Sequence, residues 1–170
     1  MDDKYTEGYD AKPKETLYSQ GEALRTVVAR AEIAAADSDG QLYILARGVS
    51  LDSVLVNALV PKGHGAVTGG TDYDLGIYKN TGTFDVPVWT AVDADIFFDD
   101  VDMSSARTAC IDLATSATDA TIGELLNTSL TSTLYSRENA AGEFAIVLTA
   151  NTVGTAAVDI EFNLKLAPAH

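Results

Sequence analysis

The sequence predicts an all-β fold, an antiparallel β-sandwich for which a jelly roll is the leading topology. Short runs with the two-residue period of β-strands recur along the chain, and turn-forming Asp, Asn, Gly and Pro residues separate them. Only one segment has the spacing of a helix. The length of 170 residues and the 46% hydrophobic content suit one compact domain with a buried core.

The first 21 residues predict an extended N-terminal arm outside the sandwich. This segment is polar, contains a proline and shows neither the strand period nor the helix period. It carries Tyr5, Tyr9 and Tyr18, a residue type that is enriched at protein interfaces. We therefore predict an arm over residues 1–21, either frayed or strapped onto a capsid or subunit neighbour, followed by a sandwich domain over residues 22–170.

The next segments predict three strands. Residues 24–36 alternate apolar and polar side chains in part, and the β-rich run QLYILARG follows the turn Asp37–Gly40, so we expect these two strands to form a hairpin. Residues 53–60 are apolar at both odd and even positions. That pattern predicts an interior strand that is covered on both faces.

The run TDYDLGIYK predicts a half-buried strand. Its side chains Tyr73, Leu75 and Ile77 share one face, while aspartates and a glycine occupy the other. After the turn at Asn80, the chain continues in extended form through VWTAVDADIFF. Pro87 at the start of that segment cannot donate a backbone hydrogen bond, which predicts an edge strand or a strand entry.

The last third of the chain predicts one short helix and a β-hairpin. In TDATIGELLNTSL, Thr118 or Asp119 can cap a helix whose Ile122 and two leucines lie on one face. The run GEFAIVLTAN and the alternating segment 158–166 then predict two strands with one solvated face, joined as a C-terminal hairpin.

Charge and composition exclude several classes of function. The net charge of −14 argues against nucleic acid as a direct partner, because that affinity depends on Lys and Arg replacing counterions. No apolar run approaches the roughly 18 residues that cross a bilayer, so no membrane partner is expected. The N-terminus carries acids where an export signal carries cations, so we do not expect export by a cleaved signal. Cys110 is the sole cysteine, and we expect it to be a small core residue.

The densest group of carboxylates lies in the segment that follows the turn at Asn80. Such a group can bind calcium, which takes six to eight oxygen ligands, or it can form a solvated acidic face or subunit rim. The acidic face is favoured because the EF-hand order of ligands is absent. The aspartates of this run are Asp93, Asp95, Asp99, Asp100 and Asp102, with Asp72 and Asp74 as possible neighbours.

No motif in the sequence predicts catalysis. Histidine occurs only at His64 and His170, no GxSxG nucleophile elbow is present, and two distant histidines with one cysteine make no recognisable metal set. We expect His64 to lie in an exposed loop. The sequence therefore contains no recognisable catalytic motif; a pair of carboxylates about 5 to 9 Å apart, as in glycosidases, is the alternative that sequence alone leaves open.

Three stretches resemble the head decoration, or cement, proteins of tailed bacteriophages. They are residues 51–55, residues 66–78 with the phrase TDYDLGIY, and residues 92–104 with the phrase VDADIF followed by DVD. The resemblance covers about residues 30–104 together with the closing strands in outline. The phrases are structural and carry no catalytic meaning.

The resemblance implies a jelly-roll sandwich that forms a homotrimer and sits on the outer surface of the virion. Its partner would be the major capsid protein, and its role would be to stabilise the expanded shell without a cofactor. In that family an N-terminal arm often reaches across neighbouring subunits, which is similar to residues 1–21 here. The alternative is a carbohydrate- or cell-surface-binding β-sandwich module of a phage tail or fibre, in which loops such as 80–87 contact the ligand.

Overall fold

A computed structural model of the protein describes residues 4–5, 24–114, 120–129, 142–155 and 157–168. These residues form nine strands and one helix. The elements are β1 (Lys4–Tyr5), β2 (Arg25–Ile33), β3 (Gln41–Arg47), β4 (Ser53–Val60), β5 (Asp72–Asn80), β6 (Trp89–Phe98), β7 (Ile111–Asp112), α1 (Ile122–Ser129), β8 (Phe144–Thr152) and β9 (Val158–Pro168).

The strands form two sheets with the order of a jelly roll. Sheet A has the order β1-β3-β8-β5-β6, and sheet B has the order β2-β9-β4-β7. All pairs among β2 to β9 are antiparallel. Along the chain these eight strands pass between the sheets as two Greek keys, which is the jelly-roll arrangement. The predicted all-β sandwich is confirmed.

The main core lies between the two sheets and is built largely from alternate side chains of β2 to β5, β8 and β9. The predicted inward faces of β5 and β9 are confirmed, since Tyr73, Leu75, Ile77, Phe162 and Leu164 are all fully buried. The same cluster extends to residues of β2, β3, β4 and α1. Removing this apolar surface from water is the main stabilising contribution to such a fold.

A second apolar cluster lies on the outer face of sheet A. It consists of Ile44, Tyr78, Trp89, Ala145 and Val147, all at most 6% exposed. Strand β8 is consequently buried on both faces over its first seven residues. The expected solvated face is present on β9, whose side chains alternate between buried and partly exposed, but it is absent from β8.

Both predicted hairpins are wrong, although their strands and turns exist. Strand β2 pairs with β9 and strand β3 with β8, so β2 and β3 lie in different sheets, as do β8 and β9. The turn at Asp37 forms as expected: its carboxylate accepts hydrogen bonds from the Ala34 amide and the Tyr43 hydroxyl at 2.8 and 2.9 Å. A turn reverses the chain without selecting its partner strand, and here the reversal carries the chain across the core.

The positions of β4 and β6 within their sheets agree with the prediction. Strand β4 is interior to sheet B and β6 is the edge of sheet A. The prediction that both faces of β4 are covered is wrong, however, because Val56 is 43% exposed. Val56 is the residue that a register shift between Leu55 and Asn57 leaves without a pairing partner on β9.

Helix α1 is present, but its cap differs from the prediction. The Thr121 hydroxyl accepts a hydrogen bond from the Glu124 amide at 3.1 Å, and the Glu124 carboxylate accepts one from the Thr121 amide at 2.8 Å. This reciprocal pair is a capping box. The predicted caps, Thr118 and Asp119, lie outside the described residues.

Part of the predicted arm is a strand. Lys4 and Tyr5 pair in parallel with Tyr43 and Ile44 at the edge of sheet A that β3 would otherwise expose. Tyr9 and Tyr18 lie outside the described residues.

We expect the substitution Phe162→Ala to lower the free energy of unfolding by about 3 to 5 kcal/mol, because it leaves a cavity between the two sheets. Urea denaturation followed by circular dichroism measures the loss. Val56→Ala on the exposed face of β4 is the control and should cost less than about 1 kcal/mol. Equal losses for the two variants would contradict the assignment of the core.

Candidate functional site

The loop between β5 and β6 is held in one shape by the side chain of Asn80. Its carbonyl oxygen accepts hydrogen bonds from the Gly82 and Val88 amides at 2.9 and 3.1 Å. Its amide group donates to the Thr83 carbonyl oxygen at 3.1 Å. A single side chain thus ties both ends of the loop together.

The base of this loop rests on a largely buried ion pair. The Arg47 guanidinium donates two hydrogen bonds to the Glu143 carboxylate, both at 2.6 Å, and the Arg47 side chain is 6% exposed. The same guanidinium lies over the rings of Phe84 and Trp89, at 5.2 and 5.3 Å from their centroids. Asn80 also donates to Glu143 at 3.3 Å, which links the ion pair to the loop.

The tip of the loop presents apolar side chains to solvent. Phe84, Val86 and Val88 are 57%, 70% and 52% exposed. Exposed apolar side chains that cluster in this way commonly mark an interaction site. We call residues 84–88 the apolar tip.

Gly82 is required for the close approach of the two arms of the loop. A Cβ atom at this position would lie 2.4 Å from the Val86 carbonyl oxygen and 2.8 Å from the Val88 amide nitrogen. Both are backbone atoms and cannot move without opening the loop. The shape of the apolar tip therefore depends on glycine at this position.

The opposite end of the β5–β6 pair is acidic. Asp72, Asp74 and Asp100 bring carboxylate oxygens within 4.8 Å of one another. The Asn151 amide donates to Asp72 at 2.8 Å and to Asp74 at 2.6 Å, which offsets part of the repulsion. If each carboxylate supplied one oxygen, the three would provide three of the six to eight ligands that calcium takes. We call these three aspartates together with Asp99 the acidic end.

The predicted acidic run is divided among different surroundings. Asp99 and Asp100 belong to the acidic end, where Asp100 raises the pKa of Asp99 by charge repulsion. Asp102 instead accepts a hydrogen bond from the Ser104 amide at 2.7 Å, and hydrogen bonds from Ser104 lower its pKa. Of the predicted run, only Asp100 belongs to the group of carboxylates that lie within 4.8 Å of one another.

Asp93 departs furthest from the prediction of a solvated face. It is 9% exposed, and the Ser129 hydroxyl at the end of α1 donates a short hydrogen bond to its carboxylate. A hydrogen bond with Asp93 raises the pKa of Asp95, which is itself exposed. The hydrogen bond between Ser129 and Asp93 joins α1 to the edge strand β6.

Two other residues differ from their predicted surroundings. His64 is half-buried, and its Nδ1 accepts a hydrogen bond from the Glu161 amide at 3.0 Å, which fixes its loop against β9. Cys110 is exposed, so the expectation of a core cysteine is wrong. It lies just before the short strand β7, where the chain runs along the surface.

Within the described residues, no helix has the length and apolar character needed to span a bilayer.

Sequence reasoning missed the ion pair that supports the loop. Arg47 and Glu143 are separated by 96 residues, and neither belongs to a motif. The available signal was local: Glu143 is a charged residue directly before a long apolar strand, and Arg47 ends another. A charge at the end of a buried strand requires a partner, but the sequence does not indicate which one.

Comparison with known proteins gives a match in fold. No family model matches the sequence, and no curated protein matches it either. Among solved structures, the chain is similar to one from the capsid of Ralstonia phage GP4, with a TM-score of 0.53 and 14% sequence identity. The alignment covers 86% of this chain and 86% of that one. At this identity the likeness shows a shared sandwich fold.

We expect Glu143→Gln to lower the free energy of unfolding by about 3 kcal/mol, because it leaves the buried Arg47 charge without a carboxylate. Chemical denaturation measures the change, and Glu32→Gln on an exposed position of β2 is the matched control. The double variant Arg47→Met, Glu143→Leu should recover most of the loss, since it removes both charges. A loss no larger than that of the control would contradict this role of the pair.

Proposed function

We propose that this protein is a non-enzymatic structural protein of a tailed-bacteriophage virion. It binds the outer surface of the capsid and stabilises the expanded shell, as decoration or cement proteins do. The observation that carries the proposal is the fold shared with a chain from the capsid of Ralstonia phage GP4 over 86% of both chains. The resemblance of residues 51–55, 66–78 and 92–104 to head decoration proteins also supports this function.

The proposed mechanism is thermodynamic. A protein that binds only the expanded lattice stabilises it by mass action, in proportion to its free concentration relative to its dissociation constant. A homotrimer gains further affinity because its second and third contacts with the shell are intramolecular. The proposed partner is the major capsid protein, and neither a cofactor nor a catalytic step is required.

The charge of the chain favours the outer surface over the DNA-filled interior. A body with a net charge of −14 is repelled by packaged DNA and attracts no phosphate backbone. On the outside, the same charge keeps both the free protein and the decorated particle soluble. The protein would be made in the cytoplasm of the bacterial host and added to the head there.

The alternative of a carbohydrate-binding module receives less support from the surface. Sugar binding commonly uses exposed aromatic rings as stacking platforms, and the tryptophan of this chain is 6% exposed and covered by Arg47. Phe84 is the one aromatic ring among the described side chains with more than half its surface exposed. A single exposed phenylalanine is a poor platform for stacking a sugar.

Binding to heads tests the proposed function directly. We expect the purified protein to co-sediment with expanded heads prepared without it, at a fixed stoichiometry, and to raise the temperature at which those heads release DNA. Unexpanded heads should bind it weakly, which provides the control. Binding to tails or host cells but not to heads would reject the capsid function in favour of the alternative.

The arm makes a separate prediction. We propose that residues 1–21, through Tyr5, Tyr9 and Tyr18, contact a neighbouring subunit or the capsid. Their deletion should leave the melting temperature of the sandwich within a few degrees, because β1 contributes only two residues to sheet A. Retention on expanded heads should fall about tenfold or more. Unchanged retention would contradict the role of the arm, and substitution of the three tyrosines by Ser separates their contribution from that of the backbone.

A further inference from the structure

Exposed apolar surface is concentrated at one place in the described chain. Among the described residues six large hydrophobic side chains are exposed, and three of them, Phe84, Val86 and Val88, lie within five residues of one another in the apolar tip. The remaining three, Leu24, Val28 and Val56, belong to the chain before β2 and to sheet B. A cluster of exposed apolar side chains promotes aggregation unless a partner covers it, so it commonly marks an interaction site.

The apolar tip is already in a fixed conformation before any partner binds. Asn80 closes the loop, and the Thr81 and Thr90 hydroxyls bond across it at 3.1 Å. Beneath it, the Arg47 guanidinium lies against the Phe84 ring. The backbone of the tip has already lost its conformational entropy on folding, so binding a partner does not have to order it. This pre-organisation increases affinity.

The charge of the tip identifies the chemistry of the partner. Residues 80–92 carry one charged side chain, Asp85, whereas the whole chain carries a net charge of −14. Asp85 is exposed between Phe84 and Val86. A matching surface must offer an apolar recess and a cation to pair with this carboxylate. A second copy of this chain would instead bring another strongly acidic body towards the tip.

We propose that the apolar tip inserts into an apolar recess on the shell protein of the head, and that Asp85 pairs with a Lys or Arg at the rim of that recess. This inference rests on the proposed function and adds to it the surface of contact. The tip is the end of the β5–β6 pair opposite to the acidic end. Docking through the tip therefore directs the aspartates away from the shell.

The test compares variants of the full chain for binding to expanded heads that lack it. Phe84→Ser with Val86→Ser should weaken binding about tenfold or more, because buried aromatic and aliphatic anchors at the centre of a contact carry most of its affinity. Val28→Ser with Val56→Ser is the matched control, since it removes exposed apolar surface from sheet B. That control should bind as the unaltered chain does.

Two single variants examine the shape and the charge of the tip. Gly82→Ala keeps every exposed side chain but forces the loop open, and it should weaken binding to a similar extent. Asp85→Lys should weaken binding at low ionic strength, and the difference from the unaltered chain should shrink as salt screens the charge. Melting curves of each variant confirm that the sandwich is folded.

The possible failures are distinguishable. If the unaltered chain does not bind heads, the proposed function falls and this inference falls with it. If the unaltered chain binds and the Phe84 and Val86 double variant binds equally well, the inference alone is overturned. Light scattering decides the remaining case: a solution oligomer that dissociates in the double variant would identify a second copy as the occupant and would also overturn the inference.

Discussion

The burial of strand β8 on both faces is the constraint on which sheet A depends. Its alternate side chains enter the main core on one side, while Ala145 and Val147 fill the outer cluster on the other. Strands β3 and β5 pair with it on either edge, and each carries a polar anchor at its end, Arg47 and Asn80. Both anchors meet Glu143, the residue directly before β8. Strand β8 thus contributes to the clusters on both faces of sheet A, and Glu143 directly before it fixes the loop that we propose as the contact surface.

The positions of the strands could be predicted because their signal is local. Side chains two residues apart face the same side of a strand, so the apolar period of β5 and β9 indicated their buried faces correctly. Strand pairing could not be obtained in this way. In a jelly roll consecutive strands often belong to opposite sheets, and the turn at Asp37 has the same residues whether the chain folds back beside itself or crosses the core. The two predicted hairpins failed for this reason.

The candidate site was less accessible to prediction because its parts come from distant segments. Arg47 contacts Phe84, Trp89 and Glu143, and no spacing rule connects these residues. The aspartates illustrate the opposite error, since residues that are close in sequence differ in burial and in hydrogen-bond partners. A hydrogen bond from Ser129 accompanies the burial of Asp93, whereas Asp100 joins residues of a neighbouring strand. Closeness in sequence indicated one solvated surface, whereas the register of β6 against β5 shifts along this segment and its aspartates differ in burial.

The two ends of the β5–β6 pair differ in chemistry, since one is apolar and the other is acidic. Strand β5 has nine residues, so it separates the apolar tip from the acidic end by about 30 Å. A particle coated with copies that all point the same way would acquire an outermost layer of carboxylates. Such a layer repels other coated particles through its counterion cloud, most strongly in dilute salt. Orientation at a single loop would then control whether released particles disperse or aggregate.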